Sequence, residues 1–133
     1  MIESVSLNWG AILIAGVINM ALGTLWYSPM VFGASWMKLV GVKEMKPDPK
    51  KLAAMFVTAL LIAMALTHFV VYAGANTFAM GMQVGVLIAV GFVALVGISS
   101  TLASGTSWKL LAINAGYWVV SLAIMGGVLG ALR

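Results

Sequence analysis

The chain has 133 residues, 63% of them hydrophobic and 8% charged, with a formal net charge of +4 at pH 7. At a mean hydropathy of +1.13 it lacks the polar surface that a water-soluble domain of this size presents, so it belongs in a bilayer. Its seven cations are too few and too local for a nucleic-acid footprint, and the lack of cysteine excludes a disulfide framework, a thiolate metal site and a redox thiol.

Residues 1–4 carry Glu3 and no Lys or Arg before the first apolar run. A secretory signal has a basic n-region, so this run reads as a retained span. Residues 7–27 supply the ~20 apolar positions that a helix needs to cross a bilayer. Trp9 stands near the start and Trp26 and Tyr27 at the end, where amphipathic rings favour the headgroup boundary. Asn8 and Asn19 are eleven residues apart, which puts both on nearly one face of that helix.

Ser28-Pro29 reads as an N-cap followed by a first-turn proline, and predicts a separate helix over residues 29–40. Phe32, Trp36, Leu39 and Val40 recur at helical spacing while Lys38 lies off their face. Such a segment is too short to span and suits an amphipathic helix lying in the interface. Gly41 ends it, and residues 42–47 form a polar connection containing Glu44. Trp26, Tyr27, Ser28, Pro29, Phe32 and Trp36 together read as a structural corner.

Asp48-Pro49 repeats the cap-then-proline signal, and Lys50 and Lys51 precede a second span over residues 52–72 with Thr58, Thr67 and His68 as its polar positions. An uncharged linker follows. The third span covers residues 81–103 and the fourth 109–132, separated by the polar turn Ser104-Gly105-Thr106-Ser107. Gly81/Gly85 and Gly126/Gly130 are GxxxG spacings, read first as packing within one bundle and second as a dimer seam. The fold class is therefore all-α and integral to the membrane: four transmembrane helices in one domain, plus a short amphipathic interfacial helix between the first and second.

Lys38, Lys43, Lys46, Lys50 and Lys51 fall in the first connection and Lys109 follows the third span, against Arg133 at the other end. By the positive-inside rule the 28–51 connection faces the cytoplasm and both termini face outward. The lysines are expected to touch anionic headgroups as well as set topology.

Catalysis needs titratable groups placed together. Glu3, Glu44 and Asp48 all fall outside the predicted spans, and no HExxH, paired acids or phosphate-binding glycine loop is present. An enzyme is not expected, nor a metal or other cofactor. Proton-coupled export is disfavoured because no acidic residue lies inside the membrane. His68 sits ~24 Å along its helix towards the outer boundary, and reads as an interhelical or interfacial hydrogen-bonding group before a haem, metal or proton-sensing one, for which Asn8 or Asn76 would be partners. Thr24, Ser99, Ser100, Thr101 and Asn114 gather in the cytoplasmic half with Tyr27 and Trp108. They read as interhelical hydrogen bonding, or as a small polar cavity roofed by the Phe32-to-Val40 helix. The candidate ligand-binding residues are accordingly Tyr27, Trp36, Ser100, Asn114 and His68.

Asn8, the string Leu22-Gly23-Thr24-Leu25-Trp26-Tyr27-Ser28-Pro29, then Phe32-Gly33 and Trp36, with Ile113-Asn114-Ala115-Gly116-Tyr117 in the last span, resemble the small bacterial membrane family catalogued as domain of unknown function 1761. The resemblance covers essentially the whole chain. It implies a compact four-helix membrane protein and assigns no activity to particular residues. The expected role is structural or accessory, with membrane lipid, another membrane protein or a second copy as partner. The alternative is a small-molecule transporter or channel, which requires a continuous polar cavity.

Overall fold

The computed structural model describes residues 4–43, 46 and 48–133, so Glu3, Glu44 and Pro47 lie outside the described residues. The helices are α1 (Trp9–Trp26), α2 (Gly33–Val40), α3 (Pro49–Tyr72), α4 (Phe78–Ile88), a π-helical segment (Ala89–Ala94), α5 (Leu95–Ser104) and α6 (Trp108–Ala131). α4, the π segment and α5 run as one rod, so four helices are long and apolar enough to cross a bilayer, with α2 as the additional short one.

Caps, rather than the edges of the apolar runs, set where the long helices begin. Asn8, Asp48, Thr77 and Ser107 each accept a hydrogen bond from a first-turn N–H, which satisfies donors that have no partner inside the helix. The second span thus starts at Pro49, a turn before the apolar run, and the third at Phe78 rather than near Gly81. Asn8 is the cap of α1 and not a polar position on its face; its Nδ2 donates to the Leu132 carbonyl at 2.8 Å and ties the two ends of the chain together.

The short helix starts later than Ser28-Pro29 suggests. Ser28 makes no cap bond, and its Oγ is buried without a hydrogen-bond partner. Its carbonyl instead accepts from Val31 N at 3.0 Å and Gly33 N at 2.8 Å, while Phe32 N reaches back to the Trp26 carbonyl. Residues 27–32 are therefore a tight turn, and helix begins only at Gly33. Gly33 is buried against this turn: a Cβ there would press on the Tyr27 carbonyl and lie 2.7 Å from the Ser28 carbonyl group. At the other end Gly41 adopts φ 82° and closes α2, as its position in the sequence predicts.

α6 is the central helix, touching α1, α2, α3, α4, the π segment and α5. Its small residues let neighbours approach on several sides. The closest approach is to α4, where Gly81 and Gly85 meet Gly126, Gly130 and the Leu122-Ala123 backbone. Both GxxxG spacings are used against each other inside one chain. Because lipid tails are as apolar as the side chains, such association rests on van der Waals contact, which close backbone approach maximises.

Burial is uneven along the bundle. The core of Ala11, Ile12, Ala15, Ala63, Leu66, Val70, Met125 and Leu129 lies towards the end that holds the termini. The buried positions of α3 start at Ala59, and Thr101 is the one buried residue of α5. At the opposite end, where the lysines are, α3 and α5 draw away from the centre. The buried core is gathered towards the terminal end, and packing of α3 and α5 loosens at the lysine end.

Candidate functional site

The lysine end is organised by the corner between α1 and α2. Trp26 Nε1 donates to the Ile113 carbonyl at 3.0 Å, and Tyr27 OH donates to Asn114 Oδ1 at 2.8 Å. The Trp26 ring packs on Phe32 at 4.9 Å between centroids and approaches Tyr117 at 6.3 Å, while Tyr27 stands edge-on to Trp36 at 5.7 Å. Tyr117 in turn contacts Tyr27 and Trp118. One continuous aromatic cluster thus joins α1, the turn, α2 and α6, and each such pair contributes ~0.5–1.5 kcal/mol beyond its buried area. Of the sequence-derived candidates, Tyr27, Trp36 and Asn114 come together here.

Below the corner, α6 directs a polar stripe at α1. Tyr117 OH donates to the Asn19 carbonyl at 2.8 Å, Asn19 Nδ2 donates to Ser121 Oγ at 2.7 Å, and Ser121 Oγ faces Met125 Sδ at 3.5 Å. Ser121 is fully buried and Asn19 nearly so. The spacing of Tyr117, Ser121 and Met125 at four-residue intervals is visible in the sequence, but its pairing with Asn19 is not. A double-mutant cycle on Asn19→Ala and Ser121→Ala is expected to give a coupling of ~0.6 kcal/mol and at most ~1.7 kcal/mol, read from unfolding in a bilayer mimetic. Strict additivity of the two substitutions would show that the bond is energetically silent.

Between α5 and the first half of α6 lies a groove of about 310 Å³. Val93, Gly97, Leu110, Leu111 and Trp118 form its apolar walls, and Ser100, Thr101, Thr106 and Asn114 contribute the polar groups. Asn114 links groove and corner: its Oδ1 accepts from Tyr27, while neither its Nδ2 nor the Thr101 hydroxyl has a hydrogen-bond partner among the described residues. Ser100, exposed on α5, lines the same groove. No α2 residue lines this groove, so α2 does not form its roof. Thr24 turns its hydroxyl onto the Met20 carbonyl of its own helix, and Ser99 is exposed.

His68 lies apart from these groups on α3. It is half-buried, its Nδ1 pairs with the Met64 carbonyl one turn back at 2.8 Å, and its ring stands edge-on to Tyr72. Asn8 is engaged by the Ala11 N–H and the Leu132 carbonyl, so it is not the His68 partner that its side of the membrane suggests. Among the described residues, His, Cys, Asp and Glu form no group of three able to hold a metal ion. A second hollow of about 360 Å³ opens at the terminal end beside Asn8, Thr67 and Arg133. Arg133 Nη1 donates to the Ala75 carbonyl at 2.7 Å there.

Neither the curated proteins nor the solved structures compared with the chain gave a match. The family model described as Protein of unknown function (DUF1761) matches residues 10–130, a range that takes in nearly all of the four spans, the aromatic corner and both glycine pairs, and the chain belongs to that family.

Proposed function

We propose that this protein is an accessory component of the bacterial inner membrane that works by contact with membrane lipid and catalyses no reaction of its own. The observation that carries this reading is that α6 is fully buried at Ser121 and Met125, in the layer between Trp118 of the α5–α6 groove and Leu129 of the hollow at the terminal end. The polar groups at this depth are occupied with one another: Asn19 bonds Ser121, and Tyr117 bonds Asn19. A transporter or channel needs a continuous polar route through this layer. The lysine end faces the cytoplasm and the termini face outward, because all six lysines belong to that end and Arg133 to the other.

Reconstitution into vesicles tests the reading. Proton flux and leakage of an entrapped dye are expected to equal those of protein-free vesicles. Flux above that baseline, reduced by Asn114→Ala, would establish the transporter reading instead. Orientation is read in cells from Lys43→Cys, which is the sole cysteine of such a variant. It should resist a membrane-impermeant thiol reagent added from outside, and ready labelling would invert the topology.

A further inference from the structure

We propose that the α5–α6 groove is a binding site for one anionic phospholipid of the lysine-side leaflet, with the headgroup at the groove mouth and one acyl chain between the two helices. This assignment rests on the lipid-contact reading above and names its ligand and its place.

The groove arises from a conflict along the third span. α4 is held to α6 by backbone contact at Gly81 and Gly85. The π-helical turn over Ala89–Ala94 then follows, and α5 continues with Thr101 as its one buried residue. A π turn inserts an extra residue into the helical register, and such turns are frequent at functional sites. Here it releases α5 from the line that α4 imposes, and Val93 of the π segment lines the resulting space.

The polar groups of this space all lie in its outer part. Thr106, in the turn between α5 and α6, marks the mouth; Ser100, Thr101 and Asn114 come next, beside Leu110 and Leu111; Val93 and Trp118 lie deepest and bring no hydroxyl or amide. From the start of α6 at Trp108 to Trp118 the depth is ~15 Å at the helical rise. A free inorganic anion would leave the apolar lower part unfilled, and a plain hydrocarbon would leave the polar groups unmatched. A lipid matches both. The two groups without partners ask for an acceptor: Asn114 Nδ2 is a donor, and the Thr101 hydroxyl belongs to a side chain only 6% exposed. Unpaired polar groups at membrane depth are costly, and phosphate or ester oxygens satisfy them. No carboxylate lines the groove, and Lys109 stands in the first turn of α6 beside groove-lining Leu110. With every lysine of the chain at this end, the local field favours an anionic headgroup over a zwitterionic one. A volume of about 310 Å³ is at the small end of ligand sites, which run from ~300 to ~1,000 Å³. It accommodates a single chain and leaves the other in the bilayer.

The test uses the full chain in detergent micelles with phosphatidylglycerol or phosphatidylcholine added in turn, and native mass spectrometry to count retained lipid. The wild-type protein is expected to retain one phosphatidylglycerol in preference to phosphatidylcholine. Gly97→Leu fills the groove, since a Cβ at Gly97 meets only the flexible end of Leu111, and should lower retention about tenfold. Thr101→Val, which keeps the side-chain shape and removes the hydroxyl, should weaken retention in the same direction, and circular dichroism verifies that both variants fold. Leu61→Ala on an exposed face should change nothing. Equal retention of the two lipids overturns the anionic assignment. Undiminished retention by folded Gly97→Leu overturns the site while the lipid-contact reading stands. Loss of a dimeric mass in Gly97→Leu with lipid unchanged assigns the groove to a second copy of the chain and overturns the proposal. If the wild type retains no lipid and its vesicles conduct, the functional reading falls as well.

Discussion

Gly85→Leu is expected to abolish the pairing of α4 with α6 and, with it, most of the folded protein. A Cβ at this position would lie 2.6 Å from the Leu122 carbonyl carbon and 3.1 Å from Ala123 Cα. Both atoms belong to the backbone of the central helix, so no rotamer change relieves the clash. Adding side-chain atoms to a packed interior costs ~1–3 kcal/mol where neighbours can shift, and a leucine against backbone exceeds that range. The helices must separate, which forfeits the van der Waals contact at Gly81, Gly126 and Gly130 that holds them together in lipid. The measurement is resistance to thermal or denaturant unfolding in detergent, followed by circular dichroism. Gly91→Ala provides the comparison: nothing lies within 4 Å of a Cβ there, and stability should stay within ~0.5 kcal/mol of wild type. Native stability in Gly85→Leu would show that the seam is not formed by backbone contact.

Gly33→Ala is the second large effect, and it differs in kind. A single methyl group at this site presses on the Tyr27 carbonyl and approaches the carbonyl carbon and oxygen of Ser28 at 2.7 Å. The turn over residues 27–32 has little freedom to yield, because its N–H groups are bonded to the Trp26 and Ser28 carbonyls. The expected result is release of α2 from the corner at a cost of ~1–3 kcal/mol, with the four long helices intact. Helical content should therefore stay close to wild type while tryptophan fluorescence shifts, since Trp36 leaves Tyr27 and Trp26 loses Phe32. The Tyr27 bond to Asn114 would loosen with the turn, so the same variant should also retain less lipid in the groove. An unchanged fluorescence spectrum would show that the corner tolerates a side chain at residue 33 and that the glycine has another role.

These two substitutions mark where the sequence was readable. The Asp48-Pro49 start of α3 and the Gly41 end of α2 are local devices, one a side-chain acceptor and the other a left-handed backbone, and local devices can be recognised from adjacent residues. Ser28-Pro29 carries the same cap signature as Asp48-Pro49 and yields a turn instead. What differs is tertiary: the Trp26 indole N–H is drawn to the Ile113 carbonyl and Gly33 is buried under the turn, so the chain coils for one more turn before helix begins. Asn8 departs from its sequence reading for a related reason. Its amide looks like a polar position on a span until the Ala11 N–H and the Leu132 carbonyl claim it.

For the candidate site the division is sharper. The aromatic string and Asn114 stood out because large amphipathic and amide side chains are few in so apolar a chain. Asn19 with Ser121 could not be paired from the sequence, since the two residues are 102 positions apart and meet only when α1 docks on α6. The π turn over Ala89–Ala94 had no distinctive composition, and without it the α5–α6 groove could not be anticipated.

Read along the chain alone, the residues establish a four-span membrane protein, where its helices end, and the gathering of its positive charge at one end. Those properties follow from the lengths of apolar runs, cap chemistry and the order of lysines, all of them written along a single stretch of chain. Only in three dimensions do the two GxxxG pairs meet each other, does α6 become central, and does the buried core gather towards the terminal end. In a bilayer every span is apolar on all sides, so hydrophobicity cannot choose a helix's neighbour. Close packing of small residues makes that choice, and it depends on which surfaces fit in three dimensions.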